Sequence, residues 1–135
     1  MVSPKPHVLV TEDDIDTRDL IIFLLKEGGY DVTCSVNGAE ALELARTGSF
    51  DLYLLDSWLP GLSGASLTRK LREFDSTTPI LFYSAAAYES DIEDARLAGA
   101  QSYLVKPTTG EHLIGEIDRL ISEARLQHRY FTQNN

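Results

Sequence analysis

The chain has 135 residues, 43% hydrophobic and 24% charged, with Asp and Glu outnumbering Lys and Arg by 21 to 12 for a formal net charge of −9. That length suits one domain with a proper core, and the acidity opposes binding to a nucleic-acid backbone or an anionic membrane. No apolar run approaches a bilayer span, Met1–Pro6 lacks the apolar stretch of a secretion signal, and the one cysteine, Cys34, excludes an internal disulfide. A cytoplasmic location is expected, and the apolar neighbours of Cys34 predict a buried thiol.

The first apolar, β-branched run is His7–Thr11, followed by a segment of helical period with Ile21, Leu24 and Leu25 on one face and Gly28-Gly29 at its end. Asp31–Val36 is the second run, closed by Asn37-Gly38, and a second helical segment leads to the third, Leu52–Leu55. Gly61 and Gly64 mark the next boundary, after which Leu67, Leu71 and Phe74 are expected to share a helical face. Pro79 precedes the fourth run, Ile80–Tyr83, and Gly99 precedes the fifth, Tyr103–Val105. After Gly110 comes a last stripe of Leu113, Ile117, Leu120, Ile121 and Ala124. The runs are short and several are apolar on both faces, as in buried parallel strands. Five strands alternating with five helices predict a doubly wound α/β fold with right-handed crossovers. Gln127–Asn135, with Tyr130 and Phe131, reads as a polar tail or the start of a linker.

In such sheets, ligands bind beyond the carboxyl ends of the strands. Glu12, Asp13 and Asp14 follow the first run, Asp56 the third, Ser84 the fourth, and Lys106-Pro107 the fifth. The second run contributes nothing chemical, which fits an outer strand. Each residue alone has a plain explanation: an acid after a strand caps a helix or favours its dipole, as Asp14 is expected to do, a serine caps a turn, and a lysine is solvated. Asp56 is harder to dismiss, because it follows a run that should be buried and so needs a cation or hydrogen bonds. Taken together, the strand ends read as one site. Carboxylates without His or Cys partners favour a hard, oxygen-loving cation, Mg²⁺ over Zn²⁺. An aspartate can act as nucleophile toward phosphorus, and phosphoryl transfer otherwise depends on positioning and charge neutralisation. His7, His112 and His128 are not placed to serve as a base.

Four stretches resemble the receiver domain of two-component response regulators: Val8-Leu9-Val10-Thr11-Glu12-Asp13-Asp14 with Arg18, Asp51–Gly64 around Leu54-Leu55-Asp56-Ser57-Trp58-Leu59-Pro60-Gly61, Pro79–Ala85, and Gly99–Pro107. The resemblance covers about 7–126, leaving 1–6 as an extension and 127–135 as the tail. It implies a flavodoxin-like strand order 2-1-3-4-5 and a signalling module rather than a turnover enzyme. Asp56 would be the phosphoacceptor, taking a phosphoryl group from a histidine kinase or histidine phosphotransfer protein. Mg²⁺ or Mn²⁺ would be held by Asp13, Asp56 and the Trp58 backbone carbonyl, with Glu12 acting largely through bound water. Lys106 would pair with the acyl phosphate, and the Lys106-Pro107 bond would be cis. Ser84 and Tyr103 would be the switch residues that reposition the face of helix 4, strand 5 and helix 5 toward a downstream protein target.

Trp58 and Ala86 stand two residues past the acceptor and past Ser84, where they are expected to modulate access of water to the phosphorylated aspartate. Trp58 serves equally well as a docking aromatic. Gln101-Ser102 stands where regulators that dimerise through this face often carry acids, so a monomer or weak homodimer is expected. Two other classes compete. An aspartyl phosphatase would want a second Asp where Trp58 stands and a cap insertion. A phosphorylation-independent scaffold would need none of the acceptor-site residues. The chain is either a stand-alone receiver or one module of a longer protein.

Overall fold

The computed structural model describes residues 4–133. Its elements in chain order are β1 (His7–Thr11), α1 (Ile15–Glu27), β2 (Asp31–Ser35), α2 (Gly38–Thr47), β3 (Leu52–Leu55), α3 (Gly64–Arg72), β4 (Ile80–Ser84), α4 (Glu89–Ala98), β5 (Ser102–Val105) and α5 (Gly110–Gln133). The strands form one parallel sheet in the order β2-β1-β3-β4-β5. The expected doubly wound fold and strand order are therefore those observed.

Alternation along the strands divides the apolar side chains between two layers. Val8, Val10, Leu52, Leu54, Leu81 and Leu104 face α1 and α5, meeting Ile21, Leu25, Leu113, Ile117 and Leu120. Leu9, Tyr53, Leu55, Ile80 and Phe82 face the other way, meeting Ala41 and Leu42 of α2, Leu67 and Leu71 of α3, and Ala95 of α4. Both faces are covered, which is why β3 and β4 read as continuous apolar runs. Asp14, Asn37 and Ser63 cap α1, α2 and α3 by accepting from backbone N–H groups three residues on.

Three local expectations differ from the structure. Phe74 lies past the end of α3 and is 43% exposed, with the Arg46 guanidinium 5.3 Å from its ring centroid. A turn follows Arg72, so helical period no longer governs where Phe74 points. Cys34 is half-buried, because β2 is an edge strand with only one neighbour. The last helix runs on through Gln133, across the stretch read as a polar tail. Glu123–Gln127 are good helix formers, and neither Gly nor Pro follows Gly115 to stop them. Tyr130 and Phe131 lie outside the residues whose side chains are described.

Candidate functional site

Register brings the site together. Thr11 is level with Leu55 across the β1–β3 pair, so Glu12 and Asp13 emerge beside Asp56 and Ser57. Leu55 is level with Phe82, which puts Ser84 just beyond Asp56 on the neighbouring strand. Ser84 is level with Val105, so Lys106 follows from β5. The strand order reverses between β1 and β3, and this is the crevice where open α/β sheets hold their ligands.

Asp56 is 9% exposed and both of its carboxylate oxygens are engaged. Oδ1 accepts from Ser84 Oγ at 2.7 Å and from the Trp58 backbone N at 3.3 Å. Oδ2 accepts from Lys106 Nζ at 3.2 Å. Lys106 Nζ also donates to Glu12 Oε1 at 2.5 Å and lies 5.5 Å from the Tyr83 ring centroid. The Lys106-Pro107 bond is cis. Behind the acceptor, a Cβ on Gly64 would stand 2.3 Å from the Asp56 carbonyl oxygen and 2.8 Å from Phe82, so only glycine fits there.

Charge at this edge is unbalanced. Three carboxylates, from Glu12, Asp13 and Asp56, face one ammonium. Burial pushes the Glu12 carboxyl above its ordinary value, the hydrogen bond from Lys106 opposes that, and the nearby Asp56 charge adds to the rise. Burial acts to lower Lys106, but the Glu12 hydrogen bond and the Asp56 and Glu12 charges outweigh it, so the net shift is upward. Lys106 is thereby held as a cation. One carboxylate oxygen from each of Glu12, Asp13 and Asp56 lies within 4.8 Å of the other two. An all-oxygen set with surplus negative charge, one member buried and Asp13 exposed, fits a hard divalent cation with waters in its shell.

Thus Glu12, Asp13, Asp56, Ser84 and Lys106 all reach the same edge, as the strand ends predicted. Trp58 is 64% exposed and reaches the acceptor through its backbone N–H, while Ala86 is buried and donates its N–H to Ser84 Oγ at 3.2 Å. Tyr103 packs on Phe82 with ring centroids 5.5 Å apart, and its hydroxyl lies 2.6 Å from the Ala86 carbonyl oxygen and 2.8 Å from Ser57 Oγ. Two residues escaped the sequence reading. Tyr83 looked like strand filler, and Ser57 carried no signal because its partner is 46 positions away. The histidines stay outside the site. His7 sits at the opposite end of the sheet, bonded to Thr33 and packed at a tilt against Phe50.

Comparison with known proteins agrees with this geometry. A family model described as the response regulator receiver domain matches residues 8–118. An uncharacterised transcriptional regulatory protein of Bacillus subtilis, YkoG, is 38% identical over 84% of this chain and 50% of its own length. The transcriptional regulatory protein CseB of Streptomyces coelicolor is 38% identical over 86% of this chain and 49% of its own length. The chain thus spans about half the length of these relatives. Among solved structures, the receiver domain of a Francisella response regulator is 32% identical, with a TM-score of 0.82, covering 88% of this chain and 98% of that one. The receiver domain of a Pseudomonas aeruginosa sensor histidine kinase, solved with a magnesium ion in its active-site cleft, is also 32% identical at a TM-score of 0.82, covering 87% and 98%. Family match, fold and strand-end chemistry agree: the chain belongs to the receiver domains of two-component response regulators.

Proposed function

We propose that this receiver, spanning about 7–126, takes a phosphoryl group onto Asp56 from a phosphohistidine on a histidine kinase or histidine phosphotransfer protein. The observation that carries this reading is the held state of the Asp56 carboxylate, oriented by Ser84, Lys106 and the Trp58 N–H at an open strand end. A carboxylate oxygen of Asp56 bonds to phosphorus as the phosphorus–nitrogen bond breaks. The imidazole nitrogen leaves with the electron pair and is reprotonated from solvent. No base is needed, since the nucleophile is already anionic.

Glu12, Asp13, Asp56 and the Trp58 carbonyl would hold Mg²⁺ or Mn²⁺. A bound divalent cation supplies neutralisation of the phosphoryl oxygens as charge builds on them. Lys106 swings from its carboxylate partners to a phosphoryl oxygen, and the Ser84 hydroxyl turns from Asp56 to another. Holding Ser84 there biases Tyr103 inward and alters the face formed by α4, β5 and α5, which docks a downstream protein. Tyr88, the residue before α4, and Leu97 on α4 are exposed, at 77% and 69%. Gln101 accepts from Arg72 and from the Ile80 N–H instead of offering a charge across an interface, in keeping with a monomer or weak homodimer. Among the described residues, no helix is long and apolar enough to cross a membrane.

Acetyl phosphate with Mg²⁺ tests the reading. Wild type should gain one phosphoryl mass, and Asp56→Asn or omission of Mg²⁺ should abolish the gain. Acceptance by Asp56→Asn at the wild-type rate would refute it.

A further inference from the structure

The switch residues are joined to the acceptor by a second route that does not pass through the phosphoryl site. Tyr103 Oη has one hydrogen, and its two neighbours are the Ala86 carbonyl oxygen at 2.6 Å and Ser57 Oγ at 2.8 Å. A carbonyl only accepts, so the tyrosine hydrogen goes to Ala86. Ser57 must then be the donor to Tyr103. The bonds form a closed ring. Ser84 Oγ donates to Asp56 and accepts from the Ala86 N–H, the Ala86 carbonyl accepts from Tyr103, and Tyr103 accepts from Ser57, the residue bonded directly to Asp56. Each member is buried or half-buried, so water competes poorly for these groups.

From this ring we infer that Ser57 is a positioning residue. Its hydroxyl latches Tyr103 inward before any phosphoryl group arrives and thereby pre-sets the switch toward its loaded form. The inference rests on the phosphoacceptor reading for its consequence, though not for its geometry. A chain already biased inward binds a phosphoryl group, or a mimic of one, more tightly by the factor of that bias. Removing the Ser57 hydroxyl leaves the Tyr103 oxygen without its donor, while Phe82 still stacks on the ring. The bias should fall, and the fold should not.

The test uses the full chain labelled with 3-fluorotyrosine, the Tyr103 resonance being assigned by its loss in Tyr103→Phe. In the Mg²⁺-loaded but unphosphorylated wild type, the Tyr103 fluorine should report one buried environment. Ser57→Ala should shift it toward the solvent-exposed position, and the apparent affinity for beryllium fluoride with Mg²⁺ should fall about 2- to 10-fold, the factor one net hydrogen bond contributes. Ser57→Thr, which keeps the hydroxyl, should restore both. In a Tyr103→Phe background, Ser57→Ala should change the beryllium fluoride affinity no further, because the latch has lost its object. An unshifted fluorine resonance in Ser57→Ala overturns the inference. So does an equal loss of affinity in the Tyr103→Phe background, which would mean that Ser57 acts on Asp56 directly. If wild type binds no beryllium fluoride and takes no phosphoryl group, the phosphoacceptor reading fails, while the fluorine shift still decides the latch.

Discussion

The two ends of the sheet are built from similar polar groups to opposite effect. At the amino end, the half-buried Arg72 donates to the carbonyls of Gly99 at 3.1 and 3.0 Å, of Asp75 at 3.0 Å and of Thr78 at 2.8 Å, and to Gln101 Oε1 at 2.8 Å. Asp75 accepts from Tyr53 Oη at 2.7 Å and from the backbone N–H groups of Thr77 and Thr78. One guanidinium stands near one carboxylate without an ion pair between them, its donors are spent on carbonyls and Gln101, and the loops after α3 and α4 are stapled together. At the carboxyl end, three carboxylates cluster and the one ammonium pairs with two of them, Glu12 and Asp56. A balanced cluster satisfies itself, whereas a cluster with surplus negative charge has affinity left for a cation. Surplus, rather than polarity alone, separates a site from a staple.

Asp13→Asn should break this contrast most severely. It removes one of the two surplus charges, so phosphoryl acceptance should fall by roughly 10²-fold, on the scale of losing metal-assisted charge neutralisation. Mg²⁺ at about 100 times its Kd should stabilise the wild type by about 2.7 kcal/mol and the variant much less. A wild-type Mg²⁺ response in Asp13→Asn, read by thermal unfolding, would assign the surplus no role.

Arg72→Met acts at the other end and in the other currency. It strands several carbonyls, and unfolding should cost about 2 to 3 kcal/mol less, a Tm lower by roughly 6 to 12 °C. Acceptance at 20 °C should stay at the wild-type rate. A slowed rate in a still-folded variant would show that the two ends are coupled. Asp75→Asn sharpens the same point through pH. Burial alone would raise the Asp75 carboxyl, but the hydrogen bonds from Tyr53, Thr78 and Thr77 hold it below its ordinary 3.8. A depressed folded-state value contributes stability present above pH 3.8 and lost as pH falls through the folded value. The stability gap between wild type and Asp75→Asn, read by urea unfolding, should therefore be full at pH 5 to 7 and narrow below about pH 3.8. A gap constant down to pH 2 would contradict it.

The smallest effect is expected at Trp58. If its exposed indole shields the acyl phosphate, Trp58→Ala should speed loss of the phosphoryl group by about 2- to 5-fold, on the scale of a partly buried aromatic contact. An unchanged decay rate would leave Trp58 as a docking aromatic.

What could be read from the sequence follows from which forces act locally. Leu52–Leu55 is apolar on both sides of the pleat, so Asp56 announced itself by ending it, whereas Ser84 and Lys106 gained meaning only from ending neighbouring strands at the same edge. Parallel register then converges strand ends without further information. The staple was invisible, because Arg72 works through carbonyls of residues up to 27 positions away, which no side-chain pattern encodes. Ser57 escaped for the same cause, since its meaning depends on Tyr103. Phe74 misled because a turn after Arg72 ended the helical period one residue before it was needed. The extended α5 was hidden by its polar surface, as a solvated helix and a polar tail share a composition.

If the surplus charge at the carboxyl end serves to load Asp56, the phosphoryl group will be found on that residue. The chain should be treated with acetyl phosphate and Mg²⁺, the acyl phosphate reduced with borohydride, and the product mapped by peptide mass spectrometry. Homoserine should appear at position 56, with Asp13, Asp14 and Glu12 unmodified. Modification at any other carboxylate, with Asp56 intact, would contradict it.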